Sequence, residues 1–311
     1  MTASPGRRPR VAILGSLNTD FSMAVRALPQ PGETVAGEKL DISCGGKGGN
    51  QAVAAARLGA NVRFVGRVGG DIFADEALRA LEMEGIDVSG IRRESMSTGS
   101  ALILVDSNGE NVIAVAPGAN GLVETADVET FVAGLQRGDV AVLQFEIPLT
   151  TVAEALSRAH AADATTVLNA SPVRGVKKSN LPAVDVLVVN AGEAGHLAGI
   201  AVSDKATALS AARRLLSRAA SVVVTLGAQG ALVVDGSGST HVKSFPVEVV
   251  DSTGAGDAFV GALAYGLGCG LTVTESARLG AAAGAVATTT MGARTALPPA
   301  EDLARRFEIA G

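Results

Sequence analysis

From Asp139 onward the sequence alternates short apolar runs with longer helical stretches, and this alternation restricts the fold more than any other feature. Asp139–Phe145, Thr165–Asn169, Val184–Val189 and Ser221–Leu226 read as strands, while Thr151–His160 and Ala206–Arg218 read as helices. Gly230–Asp235 and Val242–Pro246 read as extended pieces, followed by helices at about 256–266 and 273–288. Parallel strands need long crossovers, and helices of this length supply them. The expectation is an α/β fold: a mostly parallel central sheet with helices on both faces. Ligands of such sheets lie beyond the carboxyl ends of the strands.

The first half fits the same frame, with insertions. Arg10–Gly15 and Asn61–Gly66 read as strands, Lys47–Leu58 as a helix stopped by Gly59, and Phe73–Met83 as a helix ended by Gly85. Between Phe21 and Cys44 the pattern breaks into short stretches around Pro29, Pro31 and Gly32, which suggests strands leaving the main body. Ser100–Val105 and Asn111–Val115 flank Asp106–Glu110, where the Asn108-Gly109 pair supplies hairpin turn chemistry. The expected organisation is a single α/β domain over 1–311, with a small β lid built from insertions at about 17–46 and 97–117.

Composition narrows the function classes. A chain of 311 residues, 47% hydrophobic, is long enough for a large core. The formal charge of -5, with no Lys/Arg stripe, gives no footprint for nucleic acid. The absence of Trp and a single Tyr argue against a base-stacking surface. Arg7, Arg8 and Arg10 beside Pro5 and Gly6 read as a frayed lead-in. Cys44 and Cys269 make no disulfide framework, and no apolar run is long enough to span a bilayer or act as a signal peptide. A cytoplasmic protein without a membrane partner is expected.

Two segments carry chemistry. In Asp251-Ser-Thr-Gly-Ala-Gly-Asp257, Gly254 and Gly256 leave a helix start free of side chains, so backbone N–H groups are open to an oxyanion or phosphate. Asp257 in the first turn is badly placed to bind phosphate but well placed to take a proton from an attacking hydroxyl. The alternative is that Asp257 merely favours the helix dipole or caps the N-terminus. In Gly45-Gly-Lys-Gly-Gly-Asn50-Gln, a glycine run at a helix start with Lys47 and Asn50 suits a polyhydroxylated ligand; the alternative is a flexible loop entering a helix. Neither segment is a P-loop or a dinucleotide fingerprint. His160, His196 and His241 stand apart and read as ordinary surface or edge residues.

Together the two segments resemble the ribokinase family of carbohydrate kinases, and the likeness runs from Val11 to Pro298. Leu14–Asp20, Gly45–Arg57, Gly109–Ile113 and Ala116–Asn120 are similar to the ribose-phosphorylating members. The resemblance implies ATP-dependent phosphorylation of D-ribose to D-ribose 5-phosphate. It implies that Asn18 and Asp20 bond sugar hydroxyls, that Gly46, Lys47, Gly48, Gly49 and Asn50 close over the ring, and that Glu146 holds another hydroxyl. Gly254, Ala255 and Gly256 would form the anion hole and Asp257 would be the general base. Asp257 also borders the sugar, and with Gly256 the nucleotide. Asn190 and Glu193 would organise Mg2+ and phosphate through water, and Thr225, Leu226, Gly227, Ala228, Gln229 and Gly230 would form the nucleotide loop.

A monovalent cation, usually K+, is implied at Asp251, Thr253, Ala287, Thr290, Gly292 and Ala296, mostly through carbonyl oxygens. Ala296 departs from the Ser usual there, Ser252 from Thr, Gly49 from Ala, and Ala191 from Glu. At Ala281 a polar residue often contacts the adenine end. The resemblance also implies a homodimer through the lid. A sister kinase acting on another sugar or a nucleoside, and a non-catalytic sugar sensor, stay open as alternatives.

Overall fold

The computed structural model describes residues 8–107 and 109–307. Arg7 of the lead-in and Asn108 of the hairpin turn lie outside the described residues. In chain order the strands are β1 (Arg10–Leu14), β2 (Asn18–Val25), β3 (Gly37–Gly45), β4 (Asn61–Val68), β5 (Asp87–Arg93), β6 (Gly99–Val105) and β7 (Asn111–Ala116). There follow β8 (Val140–Gln144), β9 (Thr165–Asn169), β10 (Val184–Asn190), β11 (Ala219–Thr225), β12 (Ala231–Asp235) and β13 (Gly238–Val242). The helices are α1 (Lys47–Arg57), α2 (Ile72–Met83), α3 (Thr125–Ala133), α4 (Leu149–Ala161), α5 (Ala191–Ala198), α6 (Lys205–Leu215), α7 (Ala255–Gly268), α8 (Val273–Ala287) and α9 (Ala300–Phe307).

A nine-stranded sheet has the order β13-β12-β11-β10-β9-β8-β1-β4-β5. From β11 across to β5 neighbouring strands run parallel, and β12 and β13 add an antiparallel edge. Strand alternation divides the core into two layers. Val11, Ile13, Val140 and Val142 pack with α1, α7 and α8 on one face. Ala12, Leu14, Ala141 and Leu143 pack with α3, α4, α5 and α6 on the other. Ile13, Leu14, Phe64 and Leu143 are wholly buried, each contributing about 1.5–3 kcal/mol of transfer free energy. The mostly parallel α/β architecture read from the alternation is the one observed.

Chain order reverses between β1 and β8, which are neighbours. Their carboxyl ends, Leu14 and Gln144, therefore open onto the crevice where doubly wound sheets take ligands. A separate four-stranded sheet, β3-β2-β6-β7, stands beyond this edge, and its strands fall within residues 17–46 and 97–117. The β6–β7 hairpin closes with Asp106 N–H donating to Glu110 O, and Gly109 takes a positive φ of 82°.

Four elements escaped the sequence reading. β5 is polar (Asp87-Val-Ser-Gly-Ile-Arg-Arg) and sits at the sheet edge, so it carries no apolar run. α3 and α5 are short helices of 9 and 8 residues with little periodicity to detect, while α9 is strongly amphipathic but only 8 residues long. The piece read at Val242–Pro246 joins the sheet only through its first residue. β13 ends at Val242 after pairing with β12, and residues 243–249 have no regular structure.

Candidate active site

The site is assembled where α1 and α7 cross below the carboxyl ends of β1, β8 and β9. The two helices approach closely because Gly261 has no side chain: a Cβ there would stand 2.5 Å from Ala54 Cβ and 2.7 Å from Gln51 O. This contact brings Asn50 and Gln51 of α1 against Asp257 of α7. Asn50 Nδ2 donates to Asp257 Oδ2 at 3.0 Å, and Gln51 Nε2 donates to Oδ1 at 3.0 Å. Asp257 is 7% exposed, so both oxygens are held by amide donors almost out of water.

The capping alternative for Asp257 fails on this geometry, because its carboxylate is engaged by α1 and not by its own helix N-terminus. The residue at the cap of α7 is Gly254, with φ 77° and no side-chain bond to the first turn. Ala255 N–H reaches back to Ser252 O at 3.3 Å, a long bond, and the N–H of Gly256 follows it at this uncapped start, where an external anion can be met.

Gln51 was not singled out in the sequence, although it is the centre of a buried amide relay. Its Oε1 accepts from Gln144 Nε2 at 2.7 Å, and its Nε2 also donates to Asn169 Oδ1 at 3.0 Å. Gln144 and Asn169 end β8 and β9, so the relay fixes Asp257 relative to the sheet itself. Residues separated by 118 positions give no local signal for such a relay.

The glycine run is packed, not a loose loop. Gly46 takes φ 88°, and a Cβ on Gly48 would stand 2.7 Å from Ser16 N. Glu146 fastens it: its Oε2 accepts from Lys47 N at 2.9 Å and from Ser16 Oγ at 2.5 Å. Burial pulls the Lys47 ammonium pKa down, but Asp257, Glu146 and Glu193 outweigh it and hold the pKa above the usual range. All three carboxylates are close enough to act on the Lys47 ammonium through their charge.

At the base of the small sheet, Asn18 pairs across to Gly45 and Gly99. Its Oδ1 accepts from Asn120 Nδ2 at 2.8 Å, so one end of the amide is fixed. Asp20, on the same face, has an Oδ1 that is buried without a hydrogen-bond partner. Burial, reinforced by Glu146 and Asp257 and opposed by Arg294, pushes its pKa up to about 6.

Asn190 and Thr225 end β10 and β11 in register, further along the same carboxyl edge. Asn190 and Glu193 form a reciprocal capping box on α5: Glu193 N donates to Asn190 Oδ1 and Asn190 N to Glu193 Oε2, both at 2.8 Å. Thr225 to Gly230 is a turn closed by Leu226 N donating to Gly230 O, with Gly227, Ala228 and Gln229 in a short 3-10 helix. Among the described residues no group of three or more His, Cys, Asp or Glu could hold a metal ion. His196 meets the carbonyl of Val176, away from these residues, whereas His241 Nε2 meets the Gln229 carbonyl and so braces the 225–230 turn from outside.

Asp251 joins the two segments read as a cation site. Its Oδ1 accepts from Thr253 N and Oγ1, and its Oδ2 from Gly292 N at 2.8 Å. Burial pushes its pKa up, but these bonds outweigh it and hold the carboxyl below the usual range. Ala287 closes α8, Thr290 is exposed, and Ala296 is buried with no side-chain oxygen to offer. Oxygen donors from Ala287 and Ala296 are therefore carbonyls, a donor type that suits a hard cation.

A family model for pfkB family carbohydrate kinases matches residues 8–300. The chain belongs to this family. A Haemophilus influenzae protein named ribokinase is 35% identical, over 97% of this chain and all of the relative. A Salmonella typhi deoxyribokinase is 36% identical over 82% of this chain and 84% of its own. An Arabidopsis thaliana ribokinase, solved with ribose and ATP, superposes with a TM-score of 0.88 at 26% identity, covering 98% of this chain and all of that one. In this chain α7 starts uncapped at Gly254, with Asp257 in its first turn.

Proposed function

We propose that the chain transfers the γ-phosphoryl group of ATP to the 5-hydroxyl of D-ribose, releasing ADP and D-ribose 5-phosphate. The observation that carries this reading is the Asp257 carboxylate, held by Asn50 and Gln51 in the first turn of an uncapped helix. Asp257 takes the hydroxyl proton as the O–P bond forms and the bond to the departing ADP oxygen breaks. The backbone N–H groups following Gly254, at Ala255 and Gly256, meet the charge spread over the moving phosphoryl oxygens. Lys47, whose ammonium feels the charges of Asp257, Glu146 and Glu193, adds a cation on the same side.

On the sugar side, Asn18, Asp20 and Glu146 accept or donate to hydroxyls, and the run Gly46, Lys47, Gly48, Gly49 and Asn50 packs against the ring. The small sheet acts as the lid. On the nucleotide side, Thr225, Leu226, Gly227, Ala228, Gln229 and Gly230 cradle ATP. A cavity of about 460 Å³ lined by Pro246, Val247, Glu248, Val250, Thr289 and Arg306 adjoins the 251–257 segment and offers room for the base. Mg2+ would arrive on the phosphates and keep waters, which Asn190 and Glu193 orient, in line with its reluctance to shed its hydration shell. A monovalent cation such as K+ would sit on oxygens from Asp251, Thr253, Ala287, Thr290, Gly292 and Ala296, and would add positive charge behind the anion hole.

Exposed apolar residues on the small sheet, among them Leu40, Ile42, Leu102 and Ile113, support pairing of two lids in a homodimer. A cytoplasmic setting suits a kinase that draws on ATP. The test is ADP release with Mg-ATP and K+ across D-ribose, 2-deoxyribose, fructose and adenosine. Preference for D-ribose is expected; turnover only with another acceptor overturns the substrate, and none at all overturns the reaction. The Salmonella deoxyribokinase makes 2-deoxyribose the closest competitor in that panel.

A further inference from the structure

Arg294 lies past α8, in a stretch with neither helical nor strand periodicity, yet its guanidinium reaches the glycine run. Nη2 donates to Gly45 O at 3.1 Å, and Nε lies 3.4 Å from Asn50 Oδ1. The space it fills exists because residue 49 is glycine: a Cβ there would stand 2.5 Å from Nη2. Nη1 is buried and has no partner. Asp20 Oδ1 is likewise buried without a partner, and the Asp20 carboxylate packs directly over Gly45, whose carbonyl Arg294 holds.

An unmatched donor and an unmatched acceptor, of opposite charge, therefore flank one residue at the sugar end of the site. Leaving either buried and unpaired is costly, and a ligand offering both partners removes that cost. Adjacent hydroxyls on a ring meet this demand: one donates to the carboxylate, and the neighbouring oxygen accepts from the guanidinium. A hydroxyl missing from either carbon leaves one of the two groups unpaired.

We propose that Arg294, seated over Gly49, is a further sugar-specificity residue, the donor half of a pair with Asp20 that reads a vicinal diol. This rests on the ribose reading and sharpens it. Arg294 also acts on Asp20 electrically: together with Glu146 and Asp257, which raise the Asp20 pKa, it is the group that opposes them. Removing the guanidinium then shifts the acid limb of sugar kcat/KM to higher pH, an effect that loss of packing alone does not produce.

The experiment compares kcat/KM for D-ribose, 2-deoxyribose and 3-deoxyribose in the wild type, Arg294→Met, Gly49→Ala and the double variant, with melting temperatures alongside. Arg294→Met should raise the D-ribose KM about tenfold with kcat within about threefold, and should cut discrimination against at least one deoxy sugar about tenfold. Gly49→Ala should give a similar phenotype alone and add less than about twofold in the Arg294→Met background. Unchanged discrimination against both deoxy sugars, or independent effects of the two substitutions, overturns the proposal. Failure of the ribose reading shows separately, as absence of D-ribose turnover by the wild type. In that event the Gly49/Arg294 coupling is read in sugar-dependent melting shifts with whichever acceptor the wild type uses, and the same two results decide it.

Discussion

In the nine-stranded sheet Ile13, Leu143 and Val223 are wholly buried between helices, whereas in the four-stranded sheet Leu102 is 60% and Ile113 54% exposed. The carboxylates contributed by the two regions differ in the same way. Asp257, anchored through Gln51 to β8 and β9, has both oxygens occupied by amide donors. Asp20, on β2, keeps a buried oxygen without a partner and a pKa raised to about 6 by burial, Glu146 and Asp257. The carboxylate tied to the large sheet is thus held in place before substrate arrives, as the proposed general base would require. The small sheet retains unmatched polar and apolar surface that a sugar and a second lid would cover. Stability lies in the first region and binding demand in the second.

Substitution at the prepared carboxylate should have the largest effect. Asp257→Asn preserves the shape and the neighbours but removes the proton acceptor, so kcat should fall at least about a hundredfold with little change in sugar KM. Steady-state kinetics checks this, and a rise in KM with kcat preserved would erase the distinction between the two carboxylates.

Asp20→Asn should do the reverse, raising sugar KM about tenfold or more while changing kcat far less. It should also raise the melting temperature at neutral pH. The sign follows from linkage: the folded state binds the Asp20 proton more tightly, its pKa moving from the ordinary 3.8 to about 6. Between those values the native state holds more protons than the unfolded state, so stability falls as pH rises through the window. Above it the full cost of the buried charge is present, and Asn removes that cost. Calorimetry of both proteins at pH 4 and pH 8 reads the difference, which should be small at the lower pH and clear at the higher. The same titration should weaken sugar binding in the wild type as pH drops below about 6, because a protonated Asp20 accepts one hydroxyl bond fewer.

A smaller kinetic effect is expected from Gln51→Leu, which removes one donor to Asp257 but leaves Asn50. Loss of about 1–3 kcal/mol of stability should accompany a several-fold fall in kcat, measured by denaturant melts and turnover. An unchanged kcat would show that Asn50 alone aligns the base.

The smallest effect on fold should come from Leu102→Asp combined with Ile113→Asp. The β6–β7 register puts these residues on opposite faces of the small sheet. Sedimentation should show a monomer with nearly unchanged melting temperature, since both positions are exposed; a persistent dimer would move the subunit contact elsewhere.

The parts of this account that were legible in the sequence are the ones written locally. Apolar runs alternating with helices specify the parallel sheet, and Gly254-Ala-Gly-Asp257 marks an open helix start whatever follows it. Gln51 was passed over because in sequence it is one polar residue at helical spacing; its value comes from Gln144 and Asn169, which meet it only in three dimensions. Arg294 had no motif around it, and its role depends on a missing side chain at Gly49, far away in the chain. Asn190 and Glu193 show the converse limit. Their spacing is that of a capping box, which the structure contains, so the spacing alone does not separate helix initiation from work on a nucleotide.

The most direct test of the central claim is phosphorus NMR of wild type and Asp257→Asn incubated with Mg-ATP, K+ and D-ribose. The account predicts a D-ribose 5-phosphate resonance growing with ADP in the wild type and almost none in the variant, while D-ribose still raises the variant's melting temperature. Equal product in both samples, or ADP formed without a phosphorylated sugar, would contradict it.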